Sequence, residues 1–84
     1  MRSDDRIAVT ALMEAKTFEL RDTAAQAQAE ALAAGRLREA VSWAARLRSM
    51  DQRIEKFGLR RREVPREVLD HARNVIYRSA AHGA

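Results

Sequence analysis

Between Arg36 and Phe57 the apolar residues Ala40, Trp43, Leu47, Met50, Ile54 and Phe57 recur at alternating spacings of three and four. That spacing puts them on one stripe of an amphipathic helix. Gly58, the first breaker after the run, suits the left-handed residue that closes a helix, so the pattern predicts a helix over 36–57. Upstream, neither Gly nor Pro interrupts the chain before Gly35. Ser3, Asp4 and Asp5 make a favourable helix start, since carboxylates are stabilised at the positive end of the dipole. A second, unusually long helix is therefore predicted over 4–34. Its apolar residues fall on two stripes, one holding Val9, Met13, Leu20, Ala24, Ala27, Ala31 and Ala34, the other Ile7, Ala11, Phe18, Ala25, Ala29 and Leu32. After a connector over 58–64, Pro65 suits the opening of a helix and disfavours helix at Val64. The spacing of Val68, Leu69, Ala72, Val75, Ile76 and Ala80 predicts that helix over 65–80, with Ala81 to Ala84 fraying.

These elements define an all-α chain, residues 1–84 as one domain. Its architecture is a long antiparallel helical hairpin plus a shorter third helix, similar to a three-helix bundle. Folding about Gly35 sets the small Ala24, Ala27 and Ala31 against the bulky Trp43 and Leu47, and Leu20 and Met13 against Met50 and Phe57. One helical neighbour cannot cover both stripes of the first helix. Either the third helix packs on the second stripe, or a second copy of the chain does, which makes Ile7, Ala11, Phe18, Ala25 and Leu32 the candidate surface of a homodimer. The run Ala31, Leu32, Gly35, Leu37, Glu39, Ala40 resembles the turn of a tetratricopeptide hairpin. The resemblance implies paired antiparallel helices and carries no site: the first helix lacks the aromatic positions of that repeat, and the second runs on where the repeat stops.

Composition narrows the setting. A chain of 84 residues can bury only about 60–65% of its unfolded surface, so its core is thin and a partner or a second copy would add to it. It has no Cys, which excludes disulfides and thiolate chemistry and fits a reducing, cytoplasmic compartment. No apolar run reaches membrane-spanning length, and Asp4 and Asp5 stand where a signal peptide would need its apolar core. The basic residues are 14 Arg and 2 Lys, a bias that fits a GC-rich genome. Residues 1–35 carry four basic and six acidic groups, or −2, and residues 36–84 carry twelve and six, or +6, which together give the chain's +4. The excess of positive charge thus belongs to the second half, which could pair with the mildly acidic first half within the chain, between chains, or with an acidic partner.

Chemistry of other kinds is sparse. His71 and His82 are the only histidines, Asp70 projects away from its neighbour His71, and no ligand pair shares a helix face at metal-binding spacing. The three Gly stand at helix ends or in the tail, so there is no phosphate-cradling loop. The sequence accordingly assigns no catalytic, cofactor or metal residue and indicates a protein that is not an enzyme. What it offers is basic: Arg38, Arg46, Arg48, Arg53 and Lys56 on the polar face of the second helix, and the cluster Arg60, Arg61, Arg62 and Arg66 around the connector. Each could be an ordinary solvated surface, with the connector arginines paired to Glu63 and Glu67. Each could instead grip an anionic partner. Without aromatic interleaving, single-stranded nucleic acid is disfavoured, and the helix lengths do not suit a base-reading helix-turn-helix. Membrane binding is a minor reading, because the apolar face of helix 36–57 is taken up by the first helix. The expectation is a small intracellular protein-interaction module, an adaptor, inhibitor or assembly subunit such as phages and mobile elements encode, meeting an acidic protein surface through these Arg-rich segments. The alternative is a nucleic-acid-associated protein that contacts backbone phosphates without reading bases.

Overall fold

The computed structural model describes residues 2–83, and side chains as far as Ala81. Three helices account for nearly all of it: α1 Ser3–Ala33, α2 Leu37–Phe57 and α3 Arg66–Gly83. Among the described residues there is no strand. α1 packs against both α2 and α3. The sequence pattern had placed the ends within one residue of these bounds, except that α3 continues through Gly83 where a fraying tail was expected. For Ala84, and for the side chain of His82, that expectation lies outside the described residues.

Contacts group into two compact units, one formed by the chain up to Lys16 with the segment from Arg61 onward, the other by Thr17–Arg60. In the Thr17–Arg60 unit the second half of α1 turns at Gly35 and returns as α2. Gly35 takes φ +74°, and the amides of Gly35 and Arg36 donate to the carbonyls of Leu32 and Ala31 at 3.1 and 2.8 Å. Two orphan carbonyls of the last turn are thereby satisfied, as a Schellman closure requires. Gly58 repeats the device at the end of α2 with φ +62°, its own amide and that of Leu59 donating to Glu55 and Ile54. Leu59 and Ile54, the pair that usually makes the accompanying apolar contact, are both half-buried. Arg36 opens α2 and its Nε donates to Glu39 Oε2 at 2.6 Å, a charged clasp across the first turn.

The packed faces of this hairpin follow the heptad rows. Ala24 and Ala31 on α1 and Ala40 on α2 are buried, and Trp43, Leu47, Met50 and Ile54 are half-buried against them. The small-against-large layering is therefore present, yet shallow. Leu20, Met13 and Phe57, expected to face the far end of the seam, are exposed. Two helices provide one contact strip each, and a residue some 60–100° from its centre keeps most of its surface in water.

In the other unit α3 runs antiparallel to the first half of α1, as the pair Asp5–His71 between the helices and the pair Glu14–Arg62 just ahead of α3 fix. Ala8, Leu12 and Ala72 form its buried centre, flanked by Val9, Val68 and Leu69. α3 is opened by Pro65, whose carbonyl accepts from Val68 and Leu69 at 3.0 and 3.3 Å. Proline is suited there because its missing amide is one the first turn would leave orphaned. The second stripe of α1 is thus not covered as a set: Ala11 is buried, Phe18 and Ala25 are half-buried, and Ile7 and Leu32 are exposed. Among the described residues no large side chain is fully buried; the core is mostly alanine with Leu12 and Val75.

Candidate functional site

The basic residues singled out by the sequence are all exposed, but they divide into groups with different tasks. Arg62 is held by the molecule itself. Its guanidinium pairs with the carboxylate of Glu14, the one buried charged residue among the described residues, 8% exposed. A carboxylate out of water costs several kcal/mol unless a charge-assisted bond accompanies it, so Arg62 completes the α1 half of this unit and is not a spare cation. The sequence had offered Glu63 and Glu67 as acidic neighbours for the connector arginines. The partner of Arg62 instead comes from 48 residues away, a long-range pairing that no local spacing signals. Arg61 and Arg66 belong to this unit, and Arg60 closes the other.

On α2 the geometry is simpler. Arg38, Arg46, Arg53 and Lys56 fall within about 80° of arc at 100° per residue, outside the packed row of α2, and span about 27 Å of helix at 1.5 Å per residue. Acidic residues of α2 are elsewhere: Glu39 is clasped by Arg36, Asp51 accepts from Arg21 at 2.9 Å, and Glu55 stands on another face. Among the described residues none of those four basic side chains forms an ion pair with the rest of the chain. Two of them sit over aromatic rings, the Arg46 guanidinium 4.8 Å from the Trp43 centroid and the Lys56 ammonium 5.5 Å from that of Phe57. These cation–π contacts tie the basic side to the exposed edge of the apolar seam. Reading Trp43 and Phe57 only as seam residues hides this; the Trp43–Arg46 spacing of three was the available signal. Arg48 departs from the group and stands on a flank with Val41.

That flank is the third surface. Positions one residue after a packed row, or three before it, lie about 60–100° round the helix from the contact. On α1 these are Ala25 and Leu32, following Ala24 and Ala31; on α2 they are Leu37, Val41 and Ala44, about Ala40 and Leu47. Because the helices are antiparallel, the same rotation brings both sets to one side of the hairpin. Arg21 and Asp51, each three residues before a packed position, meet on that side and confirm it. The Asp51 hydrogen bond and charge hold the Arg21 guanidinium above its ordinary pKa, with a smaller contribution from Asp22 at 3.6 Å. Leu32, Leu37 and Val41 are 54%, 66% and 69% exposed, a cluster of branched side chains in water at the turn end.

His71 Nε2 lies 2.7 Å from Asp5 Oδ1, so the histidine docks α3 on the first turn of α1. Asp70 is engaged separately, accepting from Arg73 at 3.3 Å. Among the described residues no three His, Asp or Glu side chains gather as metal ligands, and no helix is long and apolar enough to cross a membrane. Comparison with protein-family models, with curated proteins and with solved structures gives no match to this chain.

Proposed function

We propose that this chain is a small all-α protein-interaction module, without catalytic chemistry of its own, that binds an acidic protein surface along the outer side of α2. The observation that carries the reading is the set Arg38, Arg46, Arg53 and Lys56, exposed on one side over about 27 Å with no internal counter-charge. Arg beside Trp, Met and Phe is the composition of the energetic centre of protein interfaces, and Met50, Trp43 and Phe57 border this side. The roles open to such a module are adaptor, inhibitor or assembly subunit.

Duplex nucleic acid, contacted through its phosphates, is the second reading, favoured by the same cations. The two readings differ in what they use: phosphate contact needs only the cations, whereas the protein reading also uses Trp43, Met50 and Phe57 beside them. One titration separates the two. Four phosphate contacts give a log–log salt slope near about −3.6, so affinity for an arbitrary duplex falls roughly 150-fold between 50 and 200 mM salt. The protein reading expects no measurable duplex binding at 50 mM salt. It also expects capture of a discrete acidic protein that is lost when Arg38, Arg53 and Lys56 are reversed to Glu. Tight duplex binding with that slope, or capture indifferent to the reversal, refutes it.

A further inference from the structure

We infer that the element of the partner that α2 meets is an acidic amphipathic α-helix, lying alongside α2 in the furrow bordered by Leu20, Ala27, Trp43, Met50 and Phe57. The inference rests on the acidic-partner reading and deepens it, by giving the shape of what the basic side of α2 binds.

The furrow follows from the geometry of the hairpin, and all five residues belong to the Thr17–Arg60 unit. On α2, Trp43, Met50 and Phe57 repeat every seven residues. At 100° per residue their row lies about 60° from the packed row Ala40, Leu47 and Ile54, on the side away from Asp51. On α1, Leu20 and Ala27 are displaced from Ala24 and Ala31 in the same sense, away from Arg21. Equal rotations on antiparallel helices come to one side, as the Arg21–Asp51 contact shows for the other flank. The furrow is open along its length: Leu20 and Phe57 are 58% and 65% exposed, and Ala27, Trp43 and Met50 are half-buried.

Charge selects the occupant. Arg46 and Arg53, again seven residues apart, form the next row outward on α2. The Arg46 guanidinium sits 4.8 Å from the Trp43 centroid and the Lys56 ammonium 5.5 Å from that of Phe57, so cations are held at the rim of the apolar row. Glu39, the acidic residue nearest these rows, is already clasped by Arg36 at 2.6 Å. Exposed apolar residues stand on other faces too; the choice of this row rests on the cations seated against its rings. An occupant that places carboxylates beside an apolar stripe matches both rows at once.

Spacing selects a helix. Seven residues of helix rise about 10.5 Å, which is the interval between successive apolar and successive basic positions of this side. A second helix alongside repeats its own face at the same interval, so a row of Asp or Glu and a neighbouring row of Leu stay in register with Arg46 and Arg53 and with the aromatic row. An extended strand repeats its face about every 6.6 Å and loses register after one contact.

The test uses the full chain and its single tryptophan, Trp43. Its fluorescence is titrated with two synthetic peptides of identical composition, each three heptads long. In one, Leu and Glu occupy adjoining helical rows; in the other they are scrambled so that no row forms. The ordered peptide should shift Trp43 emission to shorter wavelength and gain helical circular dichroism on binding, and the scrambled one should bind at least roughly tenfold more weakly. Arg46→Glu together with Arg53→Glu, and independently Leu20→Glu, should each weaken the ordered peptide by at least about tenfold with the chain's own helicity unchanged. Val41→Glu, on the other flank, should leave binding intact. Equal binding of both peptides, lost on the arginine reversal, overturns the helical inference and leaves the acidic-partner reading standing. Binding of the ordered peptide that ignores the reversal overturns both, and no binding of either peptide up to about 500 µM overturns the inference.

Discussion

Replacing Arg62 with Gln tests whether the densest basic cluster of the sequence is partly structural. Glu14 keeps only 8% of its surface, and Arg62 is its long-range cation. Breaking a fully buried pair costs about 3–5 kcal/mol. Arg62, however, has 57% of its side chain in water, so part of its charge is screened and the loss falls to about 2 kcal/mol, the value of a charge-assisted hydrogen bond. For a chain of this size that lowers Tm by roughly 8–16 °C. Solvation of the remaining carboxylate confounds a single substitution, so the measurement is a double-mutant cycle in chemical denaturation: Glu14→Gln, Arg62→Gln and both together. A coupling energy of about 1–2 kcal/mol is expected, largely retained at 0.5 M salt because one partner is shielded. Coupling below about 0.3 kcal/mol, within the scatter of independent sites, refutes the structural assignment and returns Arg62 to the candidate partner contacts. The outcome also bears on design, since charge reversal meant to probe binding should leave Arg62 in place.

The distribution of burial sets the order of core substitutions. Leu12→Ala, at a side chain 6% exposed, should cost about 2–4 kcal/mol, whereas Leu47→Ala, at the middle of a half-buried seam, should cost about 1–2 kcal/mol; urea unfolding that reverses this order would show that the α1–α2 seam is the deeper core. Gly35→Ala and Gly58→Ala each force a left-handed backbone on a residue with a side chain. The added methyl meets no atom within 4 Å at either position, so the cost is backbone strain alone, about 1 kcal/mol each by thermal unfolding. Removing the exposed Arg21–Asp51 pair should change stability by only about 0.2–1 kcal/mol and vanish from the comparison at high salt.

Much of the fold was legible because its signals are local. Helix spacing over 36–57, the absence of breakers before Gly35, and the two glycines at the turns are each read within a few residues, and the Schellman closures at Gly35 and Gly58 are what those signals encode. The opposed stripes of α1 were legible too, but not their use. Whether Ile7 or Ala11 becomes buried depends on where α3 crosses the first half of α1, and that is set by side chains more than fifty residues away. Ala11 went in and Ile7 stayed out for that reason. The candidate surfaces show the same division. Sequence charge located the basic side of α2, while the capture of Arg62 by Glu14 and the joining of Leu32 to Leu37 and Val41 are products of tertiary pairing.

The central claim, that the outer side of α2 faces an acidic protein, is tested most directly by site-specific photo-cross-linking inside the native host. A photoreactive residue at Ser49, exposed between Arg46 and Arg53, should give one discrete protein adduct that disappears when Arg38, Arg53 and Lys56 are reversed to Glu. Transfer of the label only to nucleic acid, or an adduct that persists through the charge reversal, would contradict it.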